Sequence, residues 1–91
     1  MSETIIQAKI AGILQLWGWE VIRLRSTYPP NQPDLLALKK GRAIFIEVKQ
    51  PGQKQTELQI RQSDRLRAQG FFVFVLDSYT DAALTPIKNL S

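Results

Sequence analysis

Three residues near the middle of the chain combine the types and spacing that hydrolytic chemistry needs: Asp34, directly after Pro33, then Glu47 and Lys49 with one residue between them. Two carboxylates drawn together repel, and each loses free energy on leaving water. A divalent cation reverses the sign of that repulsion, and Mg2+ favours one or two carboxylates together with waters and phosphate oxygens. The Val48 backbone carbonyl offers one further hard oxygen. An amine beside such a pair can hold or deprotonate a water and neutralise charge developing on a phosphate. The chain has no His and no Cys. The commonest zinc ligand, the commonest general base and the thiolate nucleophile are thereby excluded, leaving carboxylates, lysine and a hard cation. The same trio also reads as an acid–base cluster at a sheet edge, with Lys49 compensating the carboxylates.

Positioning them requires a hairpin. Asp34–Leu38 and Arg42–Lys49 are apolar runs joined by Lys39-Lys40-Gly41, a turn containing Gly. In the second run the side chains of residues 43, 45, 47 and 49 share one face, while Ile44, Ile46 and Val48 fill the other. Pairing across a turn at Lys40 and Gly41 sets Asp34 opposite a residue near 47, where cross-strand Cβ atoms lie about 5 Å apart. Convergence of Asp34, Glu47 and Lys49 is thus a consequence of strand pairing.

The surrounding elements follow from periodicity. Ile6, Ile10, Ile13, Leu14 and Trp17 form one helical stripe ending at Gly18, with Ser2 as N-cap. Glu3 falls in the first turn, where a carboxylate suits the helix dipole, yet it projects on the same side as Ile6, Ile10 and Leu14. Trp19–Thr27 alternates as a strand, and the three prolines of Tyr28–Pro33 exclude regular structure after it. Thr56–Gln69 reads as a helix with a weak apolar stripe, opened by Thr56 with Gln59 three positions on and closed by Gly70. Phe71–Leu76 is a buried strand, and a short helix covers Tyr79–Leu84. The order α-β-β-β-α-β-α, with Arg42–Lys49 and Phe71–Leu76 parallel through a right-handed crossover, gives an α/β fold: a mixed β-sheet flanked by helices.

Composition sets the limits. At 91 residues, 44% hydrophobic and 22% charged, the chain suits a single ordered domain over residues 1–91. A formal charge of +4 is a mild basic excess, compatible with a polyanionic partner. The longest apolar run, Phe71–Leu76, is far shorter than the roughly 20 residues that span a bilayer, and the first twenty residues lack a signal-peptide pattern. A cytoplasmic protein with no membrane association is expected.

Pro33-Asp34 followed by Glu47-x-Lys49 resembles the PD-(D/E)xK nuclease signature. The wider text resembles the VRR-NUC branch of that superfamily: PDLLAL, then IEVKQPGQKQTELQ, then a helix ending in RAQG before a hydrophobic strand. That branch is similar in fold to archaeal Holliday-junction resolvases, and the likeness runs from about Glu3 to Ser78. It implies a restriction-endonuclease-like fold and a Mg2+- or Mn2+-dependent endodeoxyribonuclease. Asp34 and Glu47, with the Val48 carbonyl, would hold the metal, and Lys49 would serve the attacking water. The family's N-terminal helix acid falls on Glu3 and its helix glutamine on Gln59. Branched DNA such as a Holliday junction would be the substrate, cut by a homodimer in a bacterial cell or phage-infected host. Gln32 departs from the pattern, standing where the branch has Gly, and makes the approach to the site bulkier. The alternatives are a non-catalytic nucleic-acid-binding module of the same fold and a subunit of a larger nuclease or helicase assembly.

Several of these residues have a second, purely structural role open to them. Thr56-x-x-Gln59 is a capping box in its own right, and a Gln59 bonded back to Thr56 would be unavailable to substrate. Arg61 and Arg65, four apart on one helix face, are candidates for phosphate contact, but Glu57 four residues before Arg61 also suits a solvated ion pair. Tyr28 in the proline loop, Gln32 and Lys54 complete the candidate nucleic-acid contacts. Lys39, Lys40 and Arg42 read as a soluble hairpin tip, and Trp17, Trp19 and the aromatics of Phe71–Phe74 as core or subunit interface.

Overall fold

The computed structural model describes residues 2–25 and 28–90. Its elements are α1 (Glu3–Leu16), β1 (Glu20–Arg23), β2 (Leu35–Lys39), β3 (Arg42–Val48), α2 (Glu57–Ala68), β4 (Phe72–Leu76) and α3 (Asp81–Lys88). The sheet is ordered β1-β2-β3-β4, antiparallel across the first two pairs and parallel between β3 and β4. Both the element order and the mixed sheet match the expectation from sequence.

Local chemistry sets the boundaries. The Ser2 Oγ accepts the Ile5 N–H at 3.3 Å and opens α1. At its other end Gly18, at φ +94, takes the left-handed turn that closes a Schellman motif. Its N–H reaches the Gln15 carbonyl and that of Trp19 reaches Leu14, each at 3.0 Å. The β2–β3 hairpin turns on Lys40 and Gly41, both with positive φ (51° and 77°). Such a turn has the twist that flanking strands need, and it fixes the register Lys39↔Arg42 through Leu35↔Ile46.

That register decides which side chains face the core. Leu35 and Ala37 from β2, Ile44, Ile46 and Val48 from β3 and Leu76 from β4 pack against Ile6, Ile10 and Leu14 of α1 and Leu84 and Ile87 of α3. Each fully buried aliphatic side chain contributes roughly 1.5–3 kcal/mol. The crossover helix α2 lies against the other face, the one that carries residues 45, 47 and 49. Among its residues only Ser63 is buried, which accounts for the weak apolar stripe seen in the sequence. Trp19 is part of the core and Trp17 packs against it.

Four expectations need correction. The strand expected to be buried over Phe71–Leu76 is β4, only partly covered: Val73 and Leu76 are buried, while Phe71, Phe72 and Val75 are exposed. β1 stops at Arg23 because its partner β2 begins only at Leu35, the residue paired with Arg23, and the proline loop precedes that strand. One more bond, from the Leu24 N–H to the Asp34 carbonyl at 2.9 Å, closes the pairing; the expected end at Thr27 lies outside the described residues. α3 starts at Asp81, capped by the Thr80 Oγ1 accepting the Ala83 N–H, and runs through Pro86 to Lys88. Leu84 and Ile87 both reach the core, and their burial holds the last turn despite the proline's missing N–H. Lys39, expected at a solvated tip, folds back instead: its Nζ donates to the Trp17 carbonyl at 2.6 Å and lies 5.8 Å from the Trp19 ring centroid.

Candidate active site

Asp34 is the residue immediately before β2, and its N–H still bonds the Ile46 carbonyl at 3.0 Å. Beyond this point the proline loop leads the chain away, so the Val48 N–H loses a strand partner. The Asp34 Oδ2 takes that N–H at 2.7 Å, which pins the carboxylate at the mouth of the sheet. Within a strand the N–H and C=O of one residue project to the same side, so the Val48 carbonyl faces the Asp34 side as well.

Glu47 and Lys49 emerge from the end of β3 on the α2 face. Glu47 is 2% exposed and Lys49 6%. One Glu47 oxygen, Oε1, is buried with no hydrogen-bond partner. Burial pushes this carboxyl from an ordinary 4.5 up to about 8. A hydrogen bond to the Asp34 carboxyl and the Asp34 charge add to the rise, the Lys49 ammonium opposes it, and Glu3 adds a smaller push. The causes themselves put Asp34, Lys49 and Glu3 in electrical contact with Glu47. Two acids in this setting must share a proton or a cation. A buried carboxylate oxygen without a donor, beside a second carboxyl, is a donor set suited to a hard divalent ion. Among the described residues no group of three or more acids forms a metal cluster, so Glu3 contributes charge from outside the Asp34–Glu47 pair.

Lys49 ends against α2, where its Nζ donates to the Gln59 Oε1 at 2.7 Å. The same oxygen accepts the Thr56 N–H at 3.0 Å, while the Thr56 Oγ1 accepts the Gln59 N–H at 3.2 Å. The sequence set capping by Gln59 against its being available to substrate; in the structure the side chain caps α2 and holds the Lys49 amine at once. A carbonyl oxygen has two lone pairs, and Gln59 uses one for each. Because both partners are donors, the assignment of oxygen and nitrogen in this amide is fixed by chemistry.

The remaining candidates spread outward. Gln32 accepts a hydrogen bond from the Gln62 Nε2 at 3.2 Å, tying the proline loop to α2. Arg61 and Arg65 stand exposed on α2, and the expected Glu57–Arg61 pair is not among the ion pairs of the described residues, where Arg67 with Asp64 is the one found. Tyr28 is 94% exposed, and Lys54 is exposed in the β3–α2 loop. Gln62 escaped the sequence reading. Its signal was the run of polar residues, Gln59, Gln62 and Ser63, at α2 positions where a sheet-covering helix normally carries apolar ones.

The profile of the family described as "Archaeal holliday junction resolvase (hjc)" matches residues 6–84. The chain belongs to the archaeal Holliday junction resolvase family. The matched span contains every candidate above except Glu3. A solved structure described as "VRR_NUC domain" is similar to this resolvase-family chain with a TM-score of 0.83 at 28% identity, over 98% of this chain and 97% of the other. Hjc of Archaeoglobus fulgidus, a Holliday junction resolvase from an archaeal hyperthermophile, shares the fold with a TM-score of 0.62 at 22% identity, over 79% of this chain and 64% of that one. "Putative nuclease p44" of Acyrthosiphon pisum secondary endosymbiont phage 1 is 47% identical over 58 residues, spanning 63% of this chain and 62% of that relative. The resolvase family and the VRR-NUC likeness carried by PDLLAL and IEVKQ therefore agree. No helix among the described residues is long and apolar enough to cross a membrane.

Proposed function

We propose that this protein is a metal-dependent DNA endonuclease that hydrolyses phosphodiester bonds, selective for branched DNA such as Holliday junctions. The observation that supports it best is the pairing of the Asp34 and Glu47 carboxyls at the sheet end, with the Glu47 Oε1 buried and unpartnered and the Lys49 amine alongside. Asp34, Glu47 and the Val48 carbonyl would hold Mg2+ or Mn2+. That ion supplies Lewis acidity toward the phosphoryl oxygens and lowers the pKa of water.

The protein's own groups do the rest. Lys49, held by Gln59, donates to the incoming water or to a phosphoryl oxygen and offsets the negative charge that grows as the water oxygen bonds to phosphorus. The water gives up a proton as its oxygen bonds to phosphorus, one P–O bond to a sugar oxygen breaks, and the departing sugar oxygen takes up a proton in its place. Asp34 is kept in place by the Val48 N–H, so it need not reorganise during the reaction. Arg61 and Arg65 contact flanking phosphates, and Glu3 tunes the charge of the site. A 91-residue chain offers little surface for a four-armed substrate, so a homodimer with one site for each cut strand is proposed, acting in the cytoplasm of a bacterial cell or phage-infected host.

The test is cleavage of a four-way junction and of a linear duplex in Mg2+ or Mn2+, with a chelator control and with Glu47→Ala and Lys49→Ala prepared identically. Junction cutting that is lost in both variants and in chelator supports the proposal. Equal cutting by wild type and variants defeats it, and junction binding without cutting points to a non-catalytic module. Calorimetry supplies a second check: Mn2+ uptake should be lost in Asp34→Asn.

A further inference from the structure

Between the proline loop and α2 runs a groove of about 180 Å3 that the trio does not use. Pro29 and Pro30 form one wall, and Leu58, Arg61, Gln62 and Arg65 the other. Its shape is held from two sides. The proline rings fix their own backbone φ angles, and the Gln62–Gln32 hydrogen bond staples loop to helix. Both walls lead to the catalytic end of the sheet. The loop continues through Pro33 into Asp34, and the helix face adjoins the one carrying Gln59, which holds Lys49.

The lining has a mixed chemistry. Leu58 leaves 57% of its surface in water beside two proline rings, an apolar floor that its own fold does not cover. Above it stand two guanidiniums that enter no ion pair among the described residues, since Asp64 is taken by Arg67. No carboxylate lines the groove. Flat apolar contact combined with unpaired guanidinium is how proteins hold unpaired nucleotides: the base lies on apolar or planar groups and Arg takes the phosphate or stacks on the ring. The volume is well below the range of about 300–1,000 Å3 for drug-sized ligands, so the groove admits a single ring and excludes a duplex.

We propose that this groove receives the base of one unpaired nucleotide next to the scissile phosphate. It thereby makes the enzyme select DNA in which a base is already unstacked beside the cut. A base inside continuous duplex is stacked on both faces, and extruding it costs a few kcal/mol. At a branch point the last base pair of an arm can lack a stacking neighbour on one side, so its base is extruded at lower cost. Selectivity for branched DNA then arises within one protomer, from a base-sized slot, and does not depend on reading the whole four-armed shape. This inference rests on the nuclease reading for the location of the cut.

One set of oligonucleotides tests it. Junctions carrying either a normal nucleotide or an abasic residue at each position flanking the cut are cleaved in Mn2+ by the full-length protein and by an Arg61→Ala/Arg65→Ala variant. Wild type should lose about tenfold in kcat/KM at one flanking position when the base is absent, and the double variant should cut both substrates at one common rate. Uniform cutting by wild type at every position overturns the groove inference and leaves the nuclease assignment standing. If wild type cuts nothing, the nuclease assignment fails, and binding decides the groove alone using 2-aminopurine at the same positions. A fluorescence change at a single position that vanishes in the double variant supports the slot, and no change at any position overturns it. A Gln62→Ala variant, which removes the staple but no Arg, should show the discrimination weakened, with the far-ultraviolet circular dichroism of α2 retained.

Discussion

Glu47 is held at about 8, against 4.5 for an ordinary glutamate, first by burial and then by Asp34. A carboxyl raised on folding binds a proton that the unfolded chain has released. Its contribution to stability is therefore complete below about pH 4.5 and is lost as pH climbs through about 8. In chelator, wild-type melting temperature should fall between about pH 5 and 8.5, while Glu47→Gln, which keeps a neutral side chain of the same shape, should stay nearly flat. The gap at the alkaline end should be on the order of 1–3 kcal/mol. Mn2+ should restore the wild type there and leave Glu47→Gln unchanged. Gln59 permits a sharper separation of roles. Thr56→Ala removes the cap and should cost about 1 kcal/mol of stability with cleavage intact. Gln59→Ala should lose a similar amount of stability and also drop cleavage roughly 10–100-fold, with an altered pH–rate profile, because the Lys49 Nζ loses its acceptor.

Among the elements, α2 and α3 are the two in which local propensity and tertiary demand diverge. α2 covers a polar site, so its inward positions are Gln59 and Ser63, and little apolar burial fastens it. Its ends compensate with a complete capping box and a Gly70 turn in which the Phe71 N–H reaches the Leu66 carbonyl at 3.2 Å. α3 shows the reverse. Leu84 and Ile87 are fully covered while Pro86, between them on the exposed side, removes a helical hydrogen bond. Pro86→Ala should stabilise the protein by about 1–2 kcal/mol, a melting shift of several degrees for a chain of this size, with cleavage unchanged. Differential scanning calorimetry beside a junction-cleavage assay checks both halves of that expectation.

For the molecule as a whole, the charge of +4 is modest, and binding to DNA should depend on a few well-placed cations. The logarithm of the binding constant should fall linearly with the logarithm of salt, and each of Arg61→Ala and Arg65→Ala should lower the slope by about 0.9. Lys39 should contribute nothing to it, since its Nζ is bound to the Trp17 carbonyl. Equilibrium sedimentation should report twice the chain mass of 10.4 kDa if the proposed homodimer forms.

The pairing of Asp34 with Glu47 was legible in the sequence because strand alternation and a Gly-containing turn leave a hairpin one natural register, and the register brings the acids together. The element order, the Ser2 and Thr56 caps and the inward stripe of α1 were legible for the same reason: each depends on residues within a few positions of one another. Whatever depended on partners distant in the chain was not. The shortening of β1 required knowing where β2 begins, the run of α3 through Pro86 required the core to want Ile87, and the retreat of Lys39 required the end of α1 beside it. The shared Gln59 oxygen and the groove walled by Pro29, Pro30 and Leu58 were hidden similarly. They exist only because folding sets the proline loop and the end of β3 against α2, and side-chain contacts between such segments follow no sequence period.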